Sequence, residues 1–159
     1  MDDVTLLEEL APTAGELLDR HLSQSRVWYP HDHVPWDRVT RYGPSTEGRT
    51  DVPQALKSAL FVNLLTEDNL PYYHLQIDRM FGVGEPWTVW AKRWTAEEGR
   101  HSIAIRDYIT VSGLLDPVRL EEARMAQVSG GVVPQPPSAA EGFVYVALQE
   151  LATRISHRN

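Results

Sequence analysis

Three long segments of this chain have helical spacing, and each carries a glutamate on the face that should form the hydrophobic core. Steps of three and four residues place Glu67, Glu98 and Glu150 in line with apolar residues of their own segments. An ionised carboxylate in a low-dielectric core is costly unless a positive charge accompanies it. Three buried, converging carboxylates therefore predict a bound cation between packed helices.

The spacing around the second glutamate adds a nitrogen donor. Glu98 and His101 are three residues apart, so both side chains fall on one helix face. A Glu-x-x-His turn joined by single glutamates from neighbouring helices is the ligand pattern of di-iron carboxylate bundles. The alternative is a solvated charged face, which Trp94 and Ile105 on the same line argue against. The face on the last helix consists of Phe143, Val146, Glu150, Thr153 and His157.

Composition narrows the chemistry. The chain has 159 residues, 42% of them apolar, which is enough for one compact domain over 1–159. There is no cysteine, so disulfides, thiolate catalysis and cysteine-ligated metals are excluded, and any metal must use His, Asp or Glu. The net charge of −7 argues against nucleic-acid binding. No apolar segment is long enough to span a membrane and the start has no basic leader, so a cytoplasmic protein is expected.

The order of helices follows from caps and breakers. No β-hairpin signal of the Asn-Gly type is present, and the fold class is predicted to be all-α. Pro12 is expected to bend or restart the first helix, Asp51 to cap the second, and Pro71 to kink the second beside Glu67. An aromatic-rich connection over 24–50 should pack over the core. Helices are predicted over 2–22, 51–79, 85–112, 116–128 and 138–159.

Several segments are informative through the identity of their residues as well as through the spacing of the glutamates. Trp94 through His101, Leu65 through Pro71, Phe143 through His157 and the segment from Trp28 to Pro35 closely resemble the soluble acyl-acyl-carrier-protein desaturases. The actinobacterial branch of that family is the most similar. The resemblance covers nearly the whole chain, in the family's order and at compatible spacing.

This resemblance implies a ferritin-like di-iron bundle and assigns roles to individual residues. Glu67 and Glu150 resemble the terminal carboxylates of two iron ions, Glu98 a bridging carboxylate and His101 a nitrogen ligand. Gly99 departs from the family's usual Asn and is expected to loosen the ligand spacing. Residues placed by resemblance on the oxygen side or the substrate tunnel are Thr153, Leu70 and Ile105. An ordinary back-bonding threonine is the equal alternative for Thr153.

The implied activity is that of an oxidoreductase of fatty acid biosynthesis. The family introduces a double bond into a fatty acyl chain bound to acyl carrier protein, using O2 and electrons from a ferredoxin-type donor. A homodimer is expected. Lys92, Arg93, Arg100 and Arg106 could attract the acidic carrier, although a solvated helix face is the preferred interpretation.

The sequence departs from the family at its end. Family members continue into a fourth metal-bearing helix with a second Glu-x-x-His, so this chain is predicted to be C-terminally truncated and to lack that helix. Two chains could in principle recreate the site, since Glu67, Glu98 and His101 form one half of a pseudo-twofold arrangement. The alternative function is a catalytically inert or incomplete ferritin-like module that acts by oligomerisation or partner binding.

Overall fold

The computed structural model of the chain describes residues 2–39, 51–156 and 158. Within these ranges there is no strand, which confirms the all-α prediction. Two short 3-10 turns cover Pro30–His33 and Trp36–Arg38. The α-helices are α1 (Asp3–Gln24), α2 (Gln54–Glu67), α3 (Leu70–Phe81), α4 (Trp87–Val111), α5 (Pro117–Gly130) and α6 (Ala139–Ser156). None of these helices is long and apolar enough to cross a lipid bilayer.

Capping side chains begin α5 and α6 where the sequence predicts. The Asp116 carboxylate accepts from the backbone N–H of Val118 at 2.8 Å. The Ser138 hydroxyl accepts from the backbone N–H of Glu141 at 3.3 Å and donates to its carboxylate at 3.0 Å, a reciprocal capping box. At the end of α4, Gly113 takes a φ of +62°, the left-handed conformation that glycine adopts without strain.

The second predicted helix is two helices, and its predicted cap is wrong. α2 begins at Gln54 with Pro53 at its N-cap position, so the N-cap predicted at Asp51 is two residues too early. The pattern over 51–79 is interrupted at Asp68 and Asn69, between α2 and α3. Pro71 has no N–H to bond the Glu67 carbonyl four residues earlier and lies in the first turn of α3, where proline is tolerated, so its position agrees with a break beside Glu67. The kink predicted there is confirmed as a complete break.

Two further expectations concern the ends of the chain. α1 runs from Asp3 to Gln24 with Pro12 inside it, so the helix does not restart there, and the alternative, a bend at Pro12, stays a prediction. α6 ends at Ser156. Residues 40–50, the later part of the predicted aromatic connection, lie outside the described residues, as does His157, which is predicted from the sequence to share a helix face with Glu150.

The chain divides into two compact units. The first unit is drawn from Met1–Ser25, His74–Arg93 and Val133–Asn159, and the second from Arg26–Tyr73 and Trp94–Val132. Two of the four boundaries along the chain fall inside α3 and α4, and the other two follow α1 and α5. The expectation of a single domain over 1–159 stays a prediction.

In the first unit α1 packs against α6, and an aromatic cluster forms the core. Phe81 lies with its ring centroid 4.9 Å from that of Phe143 and 6.0 Å from that of Trp87. The Trp87 indole N–H donates to the buried backbone carbonyl of Leu7 at 3.0 Å. Trp87 is therefore part of the core of the first unit.

In the second unit α2 packs against α5 around a buried aliphatic cluster. The cluster consists of Leu64, Ile109, Leu114 and Leu120, with partly buried residues packed around it, including Leu60, Phe61 and Ile105. Leu64 lies one helical turn before Glu67. The core of this unit therefore anchors the end of α2, where the first predicted ligand lies.

Candidate metal centre

The structure brings three of the four predicted metal ligands together in the second unit. Glu67, Glu98 and His101 each offer one ligand atom, and these atoms all lie within 4.8 Å of one another. His101 Nδ1 is 2.9 Å from a carboxylate oxygen of Glu98 and 3.5 Å from one of Glu67. Across the described part of the chain, no other trio of His, Asp or Glu meets in this way.

Two local features of the sequence build this group. Glu98 and His101 occupy successive turns of α4, so their side chains share a face. Glu67 is the last residue of α2 and lies at the break before α3. α4 continues through Gly99, where an added Cβ would meet Leu70 at 3.7 Å, an ordinary van der Waals distance. The expected loosening at Gly99 is not observed, since Glu98 and His101 are in hydrogen-bonding contact.

The two carboxylates and the imidazole differ in exposure. The side chains of Glu67 and Glu98 are 13% and 20% exposed, and that of His101 is 38% exposed. Hydrogen bonds from His101 to Glu67 and to Glu98 raise the pKa of His101 to about 10, against the opposing effect of burial. The imidazole is therefore protonated at neutral pH. Its positive charge balances the carboxylates as a metal cation would.

The donor set fits a metal ion. Two ligand atoms each about 2.1 Å from one ion lie about 3.0–3.4 Å apart, for angles between octahedral and tetrahedral. The two measured separations, 2.9 and 3.5 Å, are close to that range. Carboxylate and imidazole donors together suit iron and other divalent first-row metals. A bound ion would displace the proton on His101, because imidazole must be neutral to bind a metal.

The aromatic connection supplies a residue that the sequence analysis missed. The Trp28 ring stacks on His101, with centroids 5.8 Å apart and planes at 11°. The Arg100 guanidinium lies 4.7 Å from the Trp28 ring centroid and donates to the Trp28 carbonyl at 3.1 Å. The only sequence signal for Trp28 is that it begins the segment from Trp28 to Pro35, which resembles the acyl-acyl-carrier-protein desaturases. The aromatic residues of this connection are expected to pack over the core, but Tyr29 and Trp36 are exposed.

The predicted row of basic residues on α4 is only partly a solvated face, because Lys92 and Arg106 are exposed whereas Arg93 and Arg100 are half-buried. In the second unit, Arg100 is turned onto Trp28, and Arg106 pairs with Glu121 at 3.0 Å and with Asp107 at 3.1 Å. In the first unit, Arg93 donates to the Ser25 hydroxyl at 3.4 Å. Arg93, Arg100 and Arg106 each contact a residue that is distant in sequence, and helix spacing does not predict such contacts.

The remaining predicted site residues are placed differently. Glu150 lies on α6 in the first unit and is exposed, so the expectation that it is buried is wrong, while its role as a ligand stays a prediction. Thr153 donates to the Gln149 carbonyl at 2.9 Å, the back-bonded arrangement. In the second unit, Leu70 is half-buried near Gly99, and Ile105 packs on the aliphatic cluster.

The metal-free chain is expected to lose stability as pH rises from about 7 to 10. The folded state holds the His101 proton with a pKa of about 10, compared with 6.5 for an unperturbed histidine. That contribution is complete below 6.5 and disappears as pH rises through 10. Thermal unfolding in EDTA across this range tests it. His101→Gln should flatten the slope and His31→Gln, at an exposed histidine, should not; equal slopes in all three proteins would contradict the assignment.

The chain is similar in sequence to several known proteins. The sequence model of the fatty acid desaturase family matches residues 2–159. The acyl-[acyl-carrier-protein] desaturase DesA1 of Mycobacterium tuberculosis is 42% identical over all of this chain and 51% of its own length. DesA2 of the same organism is 32% identical over 99% of this chain and 58% of its own length.

A chloroplastic acyl-[acyl-carrier-protein] desaturase of Cucumis sativus is 29% identical over 97% of this chain and 42% of its own length. The chain thus spans about half the length of the relatives it matches. The helical content and these matches support the ferritin-like fold class predicted from the sequence. Because the family model matches the chain from residue 2 to residue 159, the protein belongs to the fatty acid desaturase family.

Proposed function

We propose that this chain carries half of the metal site of an acyl-carrier-protein desaturase. The observation that carries the proposal is the convergence of Glu67, Glu98 and His101 in a member of the fatty acid desaturase family. The relatives' names favour this activity over a catalytically inert module.

The chain's own residues would hold the metal in a defined way. Glu98 and His101 bind from one turn of α4 and Glu67 from the end of α2, so two helices fix three donor atoms. Glu150 is the proposed fourth ligand, acting as a terminal carboxylate as Glu67 does. When bound, two iron ions would supply oxygen activation. With Glu150, the missing glutamate and histidine of a two-iron site would come from a longer chain; without it, a second copy of Glu67, Glu98 and His101 would complete the site.

The proposed substrate is a fatty acyl chain on acyl carrier protein, the substrate named in the relatives' descriptions. Two hydrogen atoms leave adjacent carbons, and with O2, two electrons and two protons the products are one double bond and two waters. A ferredoxin-type protein would supply the electrons. Leu70 and Ile105 are proposed to line the acyl chain, with Thr153 on the oxygen side.

Mass spectrometry of the acyl product tests this proposal. The iron-loaded chain is incubated with stearoyl-acyl carrier protein, O2, ferredoxin, ferredoxin reductase and NADPH. We expect a product lighter by two hydrogen atoms, and no product from Glu98→Gln, which keeps the side-chain shape but removes a carboxylate. A chain that binds two irons per dimer but leaves the acyl group unchanged would contradict the activity and support the inert module.

A further inference from the structure

The residues that immediately follow Glu67 are tied to α5 by side-chain bonds. Arg124 donates twice to the Asp68 carboxylate, from Nε at 2.7 Å and from Nη2 at 2.9 Å. The side chain of Gln127 donates to that of Asn69 at 3.1 Å. The Tyr72 hydroxyl donates to the Val128 carbonyl. All of these residues lie in the second unit, and none is needed to explain the core.

The Asp68–Arg124 pair has the features of a fixed contact. The Asp68 side chain is 5% exposed, so its carboxylate would be buried without a counter-charge if Arg124 were absent. The hydrogen bond to Asp68 raises the pKa of Arg124 above its already high value. A forked guanidinium on a carboxylate constrains direction as well as charge. Arg124 also contacts Glu121, which pairs with Arg106 of α4.

The pair lies at the break between α2 and α3. The backbone N–H of Asp68 bonds to Leu64 at 2.9 Å, and that of Asn69 to Thr66 at 3.1 Å, so the helical bonding closes there. The direction in which Glu67 leaves the end of α2 depends on how this junction is held. Backbone bonds alone hold a helix end loosely, because end residues fray.

We propose that Arg124 is a positioning residue that, through Asp68, holds the α2–α3 junction so that the Glu67 carboxylate faces His101. The pair is one residue away from a proposed ligand in the chain and does not itself touch the ligand atoms. Its role is that of the outer partners that orient metal ligands, whose loss typically weakens metal binding about 10- to 100-fold. This inference rests on the proposed metal site.

Co²⁺ titration of the EDTA-stripped 159-residue chain, followed by visible absorption, tests the role. Arg124→Gln is expected to weaken Co²⁺ binding about 10- to 100-fold. Arg124→Lys keeps the charge but not the forked contact, so it should weaken binding less. The matched control is Arg106→Gln, which removes the exposed arginine of the same network and should change affinity less than about twofold.

A double variant separates positioning from folding. Asp68→Asn combined with Arg124→Gln leaves no buried unpaired carboxylate, so its stability should exceed that of Arg124→Gln alone. Its Co²⁺ affinity should nevertheless stay low, because the forked contact is absent. Amide hydrogen exchange at Asp68 and Asn69, measured without metal, should be faster in both variants than in the wild type.

The outcomes distinguish this inference from the function on which it rests. If Arg124→Gln and the double variant bind Co²⁺ as tightly as the wild type does, the role of Arg124 is overturned. The metal site itself would stand. Full recovery of affinity in the double variant would also overturn it. Failure of the wild-type chain to bind Co²⁺ would overturn the metal site and the positioning role together.

Discussion

Replacing His101 with alanine is expected to weaken metal binding by about a hundredfold or more. His101 is the nitrogen donor of the group, and its Nδ1 lies in contact range of both carboxylates. Without the imidazole, only the carboxylates of Glu67 and Glu98 remain to bind the metal. Titration of EDTA-stripped protein with Co²⁺ at pH 8, followed by absorption or calorimetry, measures the loss.

The matched control is His31→Ala. His31 is exposed and pairs with Asp32 at 3.4 Å, outside the three-residue group, so its replacement should change Co²⁺ affinity less than about twofold. Circular dichroism on both variants checks that helix content is retained. Equal affinity in His101→Ala and the wild type would mean that the metal binds elsewhere and that the assignment of Glu67, Glu98 and His101 is wrong.

Leu64→Ala is expected to lower the free energy of unfolding by about 2–5 kcal/mol. Leu64 is fully buried among Ile109, Leu114 and Leu120, so its truncation removes apolar contacts from α4 and α5 at once and leaves a cavity. Urea unfolding of the metal-free chain, analysed with the slope held common to both proteins, gives the difference.

Leu56→Ala provides the control for that experiment. Leu56 lies on the same helix and is 49% exposed, so the same substitution should cost about 0.5 kcal/mol or less beyond helix propensity. Comparable losses in the two variants would contradict the cluster around Leu64 as the core of the second unit.

Local signals predict most helix boundaries, and the failures have a physical cause. Asp116, Ser138 and Gly113 act through bonds or backbone angles within a few residues, so the sequence pattern contains their whole effect. Asp51 fits a capping pattern too, but α2 starts only after Pro53. The break at Asp68 was hidden because helical spacing of apolar residues continues on both sides of it.

The candidate site shows the same division. The pairing of Glu98 with His101 follows from a three-residue step, and Glu67 follows from its place among core leucines. The contact between Trp28 and Arg100 joins residues 72 apart in sequence, and that between Asp68 and Arg124 joins residues 56 apart. No periodicity connects such positions, so they become visible only in the folded chain.

The iron content of the 159-residue chain tests the metal centre at Glu67, Glu98 and His101. It is measured after anaerobic reconstitution with Fe²⁺ and removal of excess metal. Wild-type protein should retain about one iron per chain, which corresponds to a two-iron site shared by a pair of chains when light scattering gives a dimer. His101→Ala, prepared identically, should retain essentially none. Iron that is equal in the two proteins, or absent from both, would contradict a metal centre at Glu67, Glu98 and His101.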